Sequence, residues 1–467
     1  MSTNAAQFTE AAQRVTADLR QRQFIRTALG NYEIARDKRK AAFQSWESAR
    51  QTAAATKWEA INHLDTHLEQ LVAKLEARGT QVHWASNGIQ AREIILGIVA
   101  EKQARSIIKS KAMTSEEIHL NDALAKAGFE VVESDLGEFI VQLRGEAPYH
   151  IVFPSMHLTR GQIRELFAKE LGSNSSDSPE DLTMVARRVM RHKYITADIG
   201  FTGGNFAIAE TGMISITENE GNARLTAALP KTMVTLIGIE KVLPKLADLA
   251  LFLPMLATAG AGQPLTCYNT LYAGPRQPGE ADGPEEWHVV LLDNLRTELL
   301  ADAEQRDALH CIRCGACLNV CPIFRNVGGH TYGTTYSGPV GSVITPHLRG
   351  LQDWKHLSSA STLCGACTEA CPVKIDLHHH LLHNRRNAAT EKPAFFERLG
   401  YRVFGLIAND PVFWSLAKKL GRLAQPLQNL VKGTRLDPAR AWTKTRDLPP
   451  LAPVSFKEWY KNRPHHP

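Results

Sequence analysis

The first 79 residues carry apolar side chains at helical spacing in a background of Ala, Gln, Glu, Arg and Lys. Leu68, Leu71, Val72 and Leu75 form one such stripe, which is the repeat of an amphipathic helix. Gly79 follows the stripe, and a glycine just after the last periodic residue is typical of a helix end. The pattern therefore predicts two or three helices in residues 1–79.

From Thr80 onward, short apolar runs of strand length alternate with longer amphipathic segments. This alternation predicts an α/β domain at 80–293, with a mostly parallel sheet and helices on both faces. The predicted strands are 82–85, 106–109, 129–133, 138–143, 150–153, 213–217, 232–237, 266–272 and 288–292. The predicted helices are 88–103, 115–127 (with Thr114 as a cap), 160–171 and 179–192.

The C-terminal third has a helical pattern throughout. A predicted helix at 294–309 leads into a cysteine-rich segment, and further helical segments flank it. Residues 294–393 are therefore predicted to form an all-α helical ferredoxin module. Amphipathic helices are predicted from residue 394 to 430 and an extended tail at 446–467, so that 394–467 forms a basic helical C-terminal region.

Seven of the eight cysteines lie between Cys311 and Cys371. The first run has the C-x2-C-x2-C-x3-C-P spacing of ferredoxins, in which the fourth cysteine ligates the other cluster. Structural zinc needs two separated pairs around one tetrahedron, which this run does not resemble. Disulfides are typical of secreted chains, and no secretory signal opens this one. The spacing therefore predicts iron–sulfur sites.

The second cysteine run repeats the first 50 positions later. An exchange of the fourth cysteines gives one complete [4Fe–4S] site and one site with three cysteines. The predicted ligands of the first site are Cys311, Cys314, Cys317 and Cys371. The predicted ligands of the second site are Cys321, Cys364 and Cys367.

Ser361 stands in the second run where Cys311 stands in the first, so the second site has one open corner. Ser361 as an alkoxide, water or hydroxide, or the distant Cys267 are candidates for that corner. The site could instead lack the fourth iron and hold [3Fe–4S]. A serine alkoxide is harder and more basic than a thiolate, so a cluster held by three cysteines, [4Fe–4S] or [3Fe–4S], is favoured.

Composition and charge narrow the class of protein. The chain has 467 residues, 43% hydrophobic and 22% charged, as in globular proteins. The most apolar run, 246–262, contains Asp248 and Pro254 and is shorter than the roughly 20 apolar residues of a membrane span, so it predicts a buried helix pair. A reducing cytoplasm is the predicted compartment.

The positive charge is concentrated in the last part of the chain. Residues 373–467 carry 17 Lys and Arg against 7 Asp and Glu, whereas the net charge of the whole chain is +6. Such a segment could contact an anionic membrane surface or an acidic partner, although a solvated helical face explains it equally well. No nucleic-acid fold signature accompanies it, so no nucleic-acid partner is predicted.

Candidate substrate-binding residues lie in two loops of the α/β domain. Loops after the strands of such sheets often hold ligands, and the segment after strand 213–217 is rich in Asn, Glu and Arg. The glycine-rich stretch 200–212 lacks dinucleotide spacing and predicts a tight turn that leads into a helix. A salt-bridged loop is the alternative to a substrate site. The candidates are Glu210, Glu220, Asn222 and Arg224.

Several segments together resemble the lactate utilization protein B family over nearly the full length. They are 134–139, 205–212, 219–222, 238–241, 311–317, 328–333 and the tail position Trp459. The resemblance implies a lactate-utilization (LUD) domain, similar to sugar-isomerase and CoA-transferase domains, followed by a helical ferredoxin. It implies two partners, namely a subunit with a cysteine-rich repeat and a stand-alone LUD-domain subunit. It also implies oxidation of L-lactate to pyruvate, with electrons passed toward the respiratory chain.

The residues favour an electron-transfer subunit, because no flavin or nicotinamide fingerprint and no catalytic base stand out. In one alternative, the α/β domain itself binds and oxidises a 2-hydroxy acid through Glu210, Glu220 and Arg224, with the clusters as electron sink. In another, the chain serves a glycolate-type or quinone-linked dehydrogenase. A third is a scaffold whose clusters only fix the fold. As an electron-transfer subunit, the chain is predicted to be cytoplasmic and in peripheral contact with the inner face of the membrane. The sequence does not identify the electron acceptor.

Overall fold

The computed structural model describes residues 3–392, 395–437, 439–443 and 446–463. Contacts divide the chain into two units, one ending at Ala388 and one beginning at Ala389. All eight cysteines lie in the first unit. The two units are described separately below.

Within the described residues, four helices precede the first strand, where the apolar spacing predicts two or three. Leu68, Leu71 and Leu75 are buried on the fourth helix, as the stripe predicts. Gly79 lies just beyond this helix in the left-handed region, with φ of 87°. The helices are α1 (Thr3–Ala17), α2 (Leu19–Lys40), α3 (Trp46–Asn62) and α4 (Leu64–Glu76).

Ten strands in the described residues form two sheets. They are β1 (Gln81–Ala85), β2 (Ser106–Lys109), β3 (Glu130–Glu133), β4 (Ile199–Thr202), β5 (Phe206–Ile208), β6 (Met213–Glu218), β7 (Thr232–Gly238), β8 (Val242–Leu243), β9 (Tyr268–Tyr272) and β10 (Glu286–Leu292).

The larger sheet has the strand order β1-β10-β7-β4-β2-β3, and every neighbouring pair is parallel. All seven residues of β7 are buried, because both faces of the sheet are covered by other elements. The predicted α/β class with a mostly parallel sheet is thus confirmed.

The smaller sheet, β8-β5-β6-β9, is a feature that the sequence pattern does not separate from the first. In this sheet β6 pairs with β5 and β9 in antiparallel fashion, whereas β5 and β8 are parallel. The buried leucines of α4 pack in one apolar cluster with Ile214 and Ile216 of β6. The fourth N-terminal helix is therefore part of the α/β core.

Helices cover the faces of the larger sheet. In this region the described helices are α5 (Gly88–Glu101), α6 (Met113–Glu117), α7 (Leu120–Lys126), α8 (Leu136–Arg144), α9 (Arg160–Leu171), α10 (Pro179–Thr196), α11 (Asn222–Ala228) and α12 (Leu249–Ala261).

Two predicted strands are wrong. Residues 138–143 belong to helix α8, which Asp135 caps by accepting a hydrogen bond from the Glu138 N–H and which ends at the left-handed Gly145. These end signals outweigh a short apolar run. Residues 150–153 are irregular, because the His150 ring accepts the N–H groups of Val152 and Phe153 that a sheet would need.

Three predicted helices also need correction. The helix predicted at 115–127 is divided into α6 and α7 at His119, whose φ is 52°, and Thr114 lies inside α6 rather than capping it. The buried helix pair predicted at 246–262 is the single helix α12 after a short 3-10 turn. The helix predicted to follow the glycines within the stretch 200–212 is absent from the described residues there, where β4 and β5 lie instead.

Helices also build the cysteine segment, as predicted. They are α13 (Arg296–Ala301), α14 (Ala316–Val320), α15 (Phe324–Val327), α16 (Gly338–Arg349), α17 (Leu351–Ser359), α18 (Ala366–Ala370) and α19 (Leu377–Glu391). The single helix predicted at 294–309 is α13 followed by a 3-10 helix, Arg306–His310. Side chains of α2 and α3, including Leu29 and Ala53, share one apolar core with this segment.

The second unit consists of helices α20 (Phe395–Asn409), α21 (Pro411–Val431), α22 (Arg440–Thr443) and α23 (Phe456–Lys461). The predicted boundary between residues 393 and 394 lies outside the described residues, as do the last four residues of the predicted tail. Helix α23 interrupts the part of the tail that is described. Among the described residues, no helix has the length and apolar character needed to cross a bilayer.

We expect Gly200→Ala to lower the thermal unfolding midpoint of the purified protein. A Cβ at Gly200 would lie 2.0 Å from the Thr226 carbonyl oxygen, so β4 and α11 would have to separate. Such overpacking costs about 1–3 kcal/mol or more. The matched control is Gly97→Ala in α5, where a Cβ meets no atom within 4 Å and should raise stability by up to about 1 kcal/mol. Equal midpoints for the two variants would contradict this account of the glycine-rich stretch.

Candidate iron–sulfur sites

The two cysteine runs have the same backbone conformation, so the sequence repeat is also a structural repeat. Arg313 and Leu363 have positive φ of 60° and 53°, and Gly315 and Gly365 of 77° and 79°. Each run continues into a five-residue helix, α14 or α18, that ends at its fourth cysteine. The left-handed residues turn the chain so that it wraps around a common centre.

Four cysteines from both runs line one pocket. They are Cys311, Cys314, Cys317 and Cys371. The rest of the lining is apolar and includes Ile312, Val340 and Ile375. Within the part of the chain described, no polar side chain other than these thiols faces the pocket. The structure thus brings together the set that the sequence predicts for the first site.

The other three cysteines of the two runs, Cys321, Cys364 and Cys367, lie close to one another. Burial, together with the charges of Cys321 and Cys364, raises the pKa of the Cys367 thiol to about 11. Cys364 is exposed, and a hydrogen bond from the Thr362 side chain lowers its pKa. These residues are the set that the sequence predicts for the second site, which therefore reaches the protein surface.

The surroundings of the first site suit cysteines that bind a cluster in their thiolate form. Burial and, to a lesser degree, Cys311 raise the pKa of Cys371 to about 12, and burial also raises the pKa of Cys314 and Cys317. A free thiolate would be unstable in this apolar pocket, whereas iron removes the penalty by coordinating the sulfur. None of the eight cysteines forms a disulfide.

Backbone N–H groups point at the sulfur atoms. Arg313 N donates to Cys311 Sγ at 3.4 Å, Ile375 N to Cys371 Sγ at 3.4 Å and Phe324 N to Cys321 Sγ at 3.5 Å. Such bonds stabilise negative charge on sulfur, which is one way in which proteins adjust cluster potentials.

Ser361 takes the place of Cys311 in the repeat. Leu363 N donates to Ser361 Oγ at 3.1 Å, as Arg313 N donates to Cys311 Sγ. Cys267, by contrast, is exposed just before β9, where its backbone N–H donates to Asn219 Oδ1 at 3.1 Å. Ser361 therefore has, in the second run, the position and the backbone hydrogen bond that Cys311 has in the first.

A buried charge network lies beside Cys311. Arg296 binds Glu240 at 2.5 Å and Glu117 at 2.9 Å, and Arg313 approaches Glu240 at 3.5 Å. Burial alone would raise the pKa of Glu240, but these guanidinium groups lower it to about 2. The network therefore keeps its carboxylates ionised.

Two buried lysines add positive charge to this network. Lys57 Nζ donates to the carbonyl oxygens of Glu240 at 2.6 Å and Val242 at 3.4 Å. Burial lowers the pKa of Lys57 to about 7 and that of Lys241 to about 8, while the Cys311 sulfur favours the charged form of both. Glu240 and Lys241 belong to the segment 238–241, which carries part of the family resemblance. No rule of residue spacing reveals that they form a buried charge network.

The four candidate substrate-binding residues do not form one group. Glu220 accepts from Leu136 N at 3.0 Å, and burial, with Asp135, raises its pKa to about 7. Asn222 is buried, and its Nδ2 lies 3.5 Å from Ser134 Oγ. Ser134 precedes α8, the helix that begins at Leu136. Glu210 lies at the other end of β6, where it accepts from Leu246 N at 2.8 Å.

Arg224 lies on the β9 side of the loop that carries Glu220 and Asn222. Its guanidinium lies over the Tyr268 ring, 5.2 Å from the centroid, and its backbone N–H donates to Glu218 at 3.0 Å. Among the four candidates, only Glu220 and Asn222 are near the same element, α8.

A cleft that the sequence did not predict lies between the α/β domain and the cysteine segment. Two adjoining pockets of about 360 and 300 Å³ share His119, Thr334, Thr335 and Arg349, so they form one continuous cleft. Gly329 and His330 line one part of it. The glycine-rich run 328–333 was the available signal, but its partners come from a distant segment of the chain.

Three family models match successive parts of the chain. The model of the LUD domain matches residues 68–292, that of the 4Fe-4S dicluster domain residues 307–375, and that of the lactate utilisation protein B C-terminal region residues 376–465. Among solved structures, a DUF162 family protein from Deinococcus radiodurans is matched over 49% of this chain and 98% of its own, with 13% identity and a TM-score of 0.28.

Curated relatives match over nearly the whole length. Lactate utilization protein B of Oceanobacillus iheyensis is 42% identical, over 95% of this chain and 93% of its own. The proteins of that name from Anoxybacillus flavithermus and Bacillus subtilis are 43% and 41% identical, over 94% of this chain and 95% and 94% of their own. At this identity and coverage, the chain belongs to the lactate utilization protein B family.

Proposed function

We propose that this chain is the iron–sulfur electron-transfer subunit of a system that oxidises L-lactate to pyruvate and passes the electrons toward the respiratory chain. The observation that carries the proposal is the pair of structurally equivalent cysteine runs, which gather four thiols in one apolar pocket and three beside it. The names of the relatives support the assignment to lactate utilization.

In this proposal, Cys311, Cys314, Cys317 and Cys371 hold a [4Fe–4S] cluster. Cys321, Cys364 and Cys367 hold a second cluster, [4Fe–4S] or [3Fe–4S], whose open corner faces Ser361. Bound at these sites, the clusters supply one-electron redox chemistry over a potential range set by ligands, charge and burial.

The chain's own residues make the two sites unequal. The first site is buried and has the cations of Lys57, Lys241 and Arg313 on one side, which stabilise the negative charge that arrives with an electron. The second site includes the exposed Cys364, where a partner can approach. We infer that electrons cross the protein surface at the second site.

We further propose the domain division 1–79, 80–293, 294–393 and 394–467. The LUD-domain model ends at residue 292, which supports the boundary after residue 293, whereas it begins at residue 68, within α4. The six-stranded parallel sheet supports a relation of the second segment to sugar-isomerase and CoA-transferase domains. The partners in this proposal are a subunit with a cysteine-rich repeat and a stand-alone LUD-domain subunit.

We also infer that the C-terminal unit lies on the inner face of the membrane. Leu416, Leu420, Leu423, Leu427 and Leu430 follow one face of α21 and are between 51% and 85% exposed. Lys418, Lys419 and Arg422 occupy other positions of the same helix. Exposed leucines beside basic residues are typical of helices that lie in an anionic lipid surface.

Replacing single cysteines tests the assignment of the two sites. We expect Cys314→Ala and Cys371→Ala to abolish the same electron paramagnetic resonance signal, and Cys321→Ala and Cys367→Ala to abolish the other. Each variant should lose roughly half of the iron of anaerobically purified protein. Cys267→Ala is the control and should keep both signals. Pairing of Cys371 with Cys321, or unchanged lactate-dependent dye reduction by a complex that lacks both clusters, would refute the proposal.

We expect Lys57→Met to lower the midpoint potential of the first site by tens of millivolts at pH 6, because a buried cation that favours the reduced state is lost. The difference from the unchanged protein should shrink as the pH rises through about 7, where Lys57 loses its proton. Redox titration followed by electron paramagnetic resonance measures this difference. Lys38→Met, at an exposed position, is the control. Equal potentials for the two variants at pH 6 would show that Lys57 does not influence this site.

Vesicle flotation tests the membrane contact. We expect the full chain to float with vesicles that contain phosphatidylglycerol but not with vesicles of phosphatidylcholine alone, and to lose binding at high salt. Leu423→Asp with Leu427→Asp should abolish flotation. Leu19→Asp, which also changes a highly exposed leucine but in α2, should leave it intact. Flotation of neither or of both vesicle types would contradict the inference.

A further inference from the structure

Three potential metal ligands meet at the wall of the cleft between the α/β domain and the cysteine segment. Glu146 and His157 come from the irregular chain after α8, and His330 comes from the glycine-rich run after α15. One ligand atom of each lies within 4.8 Å of the other two. His157 Nε2 and Glu146 Oε2 are 2.9 Å apart, which suits two ligands of one ion. This group is separate from the seven cysteines that are predicted to bind the clusters.

Two of the three ligands, Glu146 and His330, are held by a second partner. Arg144 donates to Glu146 Oε1 through Nε at 2.9 Å and Nη2 at 2.7 Å, which leaves Oε2 toward His157. His330 Nε2 lies 2.7 Å from the Ala147 carbonyl oxygen, so this nitrogen carries the proton and Nδ1 keeps its lone pair. Metal-bound histidines usually make this kind of outer hydrogen bond, because it fixes the ring and its tautomer.

The backbone is shaped to bring His330 to this place. A Cβ at Gly329 would lie 1.6 Å from the Tyr149 carbonyl oxygen, and one at Gly328 would lie 2.0 Å from the Tyr149 hydroxyl. Only glycine permits this approach. The Tyr149 ring stacks on His157 at 4.7 Å and meets His330 edge-on at 5.0 Å.

The arrangement leaves one side open and one nitrogen without a partner. His157 Nδ1 is buried and has no hydrogen-bond partner among the described residues. Glu146 and His330 both line the part of the cleft with a volume of about 360 Å³, together with His119 and Arg349. A histidine pair with one carboxylate and free positions is a ligand set that binds Zn²⁺ or Fe²⁺ and leaves room for an added ligand.

We propose that Glu146, His157 and His330 form a site for a divalent transition metal of the Zn²⁺ and Fe²⁺ class, open to the cleft. The added ligand is a small anion with oxygen donors, because Arg349 supplies positive charge in the same space. Tyr149 and Phe324, with ring centroids 6.1 Å apart, connect this site to Cys321, whose sulfur accepts from Phe324 N.

Zinc binding by the full-length, anaerobically purified protein tests the site. The protein is first dialysed against a mild chelator that leaves its iron content unchanged, and Zn²⁺ is then titrated calorimetrically. We expect one zinc per chain, and binding at least about 100-fold weaker in His330→Asn and Glu146→Gln. His119→Asn is the matched control, because His119 is exposed in the same cleft and asparagine tolerates its left-handed backbone.

X-ray absorption at the zinc edge identifies the ligands. We expect nitrogen and oxygen neighbours at about 2.0–2.1 Å with imidazole scattering. Sulfur neighbours at about 2.3 Å would place zinc on the cysteines and overturn the proposal. Equal zinc binding by the unchanged protein and His330→Asn, or no binding by the unchanged protein at intact iron content, would also overturn it. Because iron is measured separately, these outcomes do not depend on the electron-transfer proposal.

Discussion

The structure depends on the burial of thiols from two distant runs in one apolar pocket. Cys371 lies with Cys311, Cys314 and Cys317, although it follows Cys317 by 54 positions in the chain. The exchange of the fourth cysteine means that neither run can complete a site alone. Apolar surroundings make the free thiolates unfavourable, so coordination by iron would stabilise both the cluster and the fold of this segment.

The rest of the first unit supplies the walls of this pocket. Arg50 of α3 donates to the Cys371 carbonyl oxygen at 2.9 Å and to that of Thr368 at 3.2 Å, which fixes the end of the second run. From the α/β side, a Cβ at Gly260 of α12 would lie 2.7 Å from the Cys314 carbonyl oxygen. The N-terminal helices and the α/β region therefore position the cysteine segment as much as its own short helices do.

Charge is distributed unequally around the two proposed cluster sites. The buried cations near Cys311 lie on the side of Glu240, whereas the second site opens to the surface at Cys364. The metal site proposed at Glu146, His157 and His330 lies on the side of Cys321, connected through two aromatic rings. The first site, buried and flanked by cations, and the second site, open to the surface, would differ in potential, which would give the pair of sites a direction.

The sequence by itself determined the cysteine chemistry and the parallel sheet. Ligand spacing is a local property, and buried parallel strands such as β7 read as continuous apolar runs, so both are visible along the chain. The structure shows that 138–143 is a helix, because the Asp135 cap and the Gly145 end outweigh the four apolar positions of this run. Likewise, it alone separated Glu210 from Glu220 and brought His330 to His157, because contacts between residues far apart in the chain leave no periodic signal.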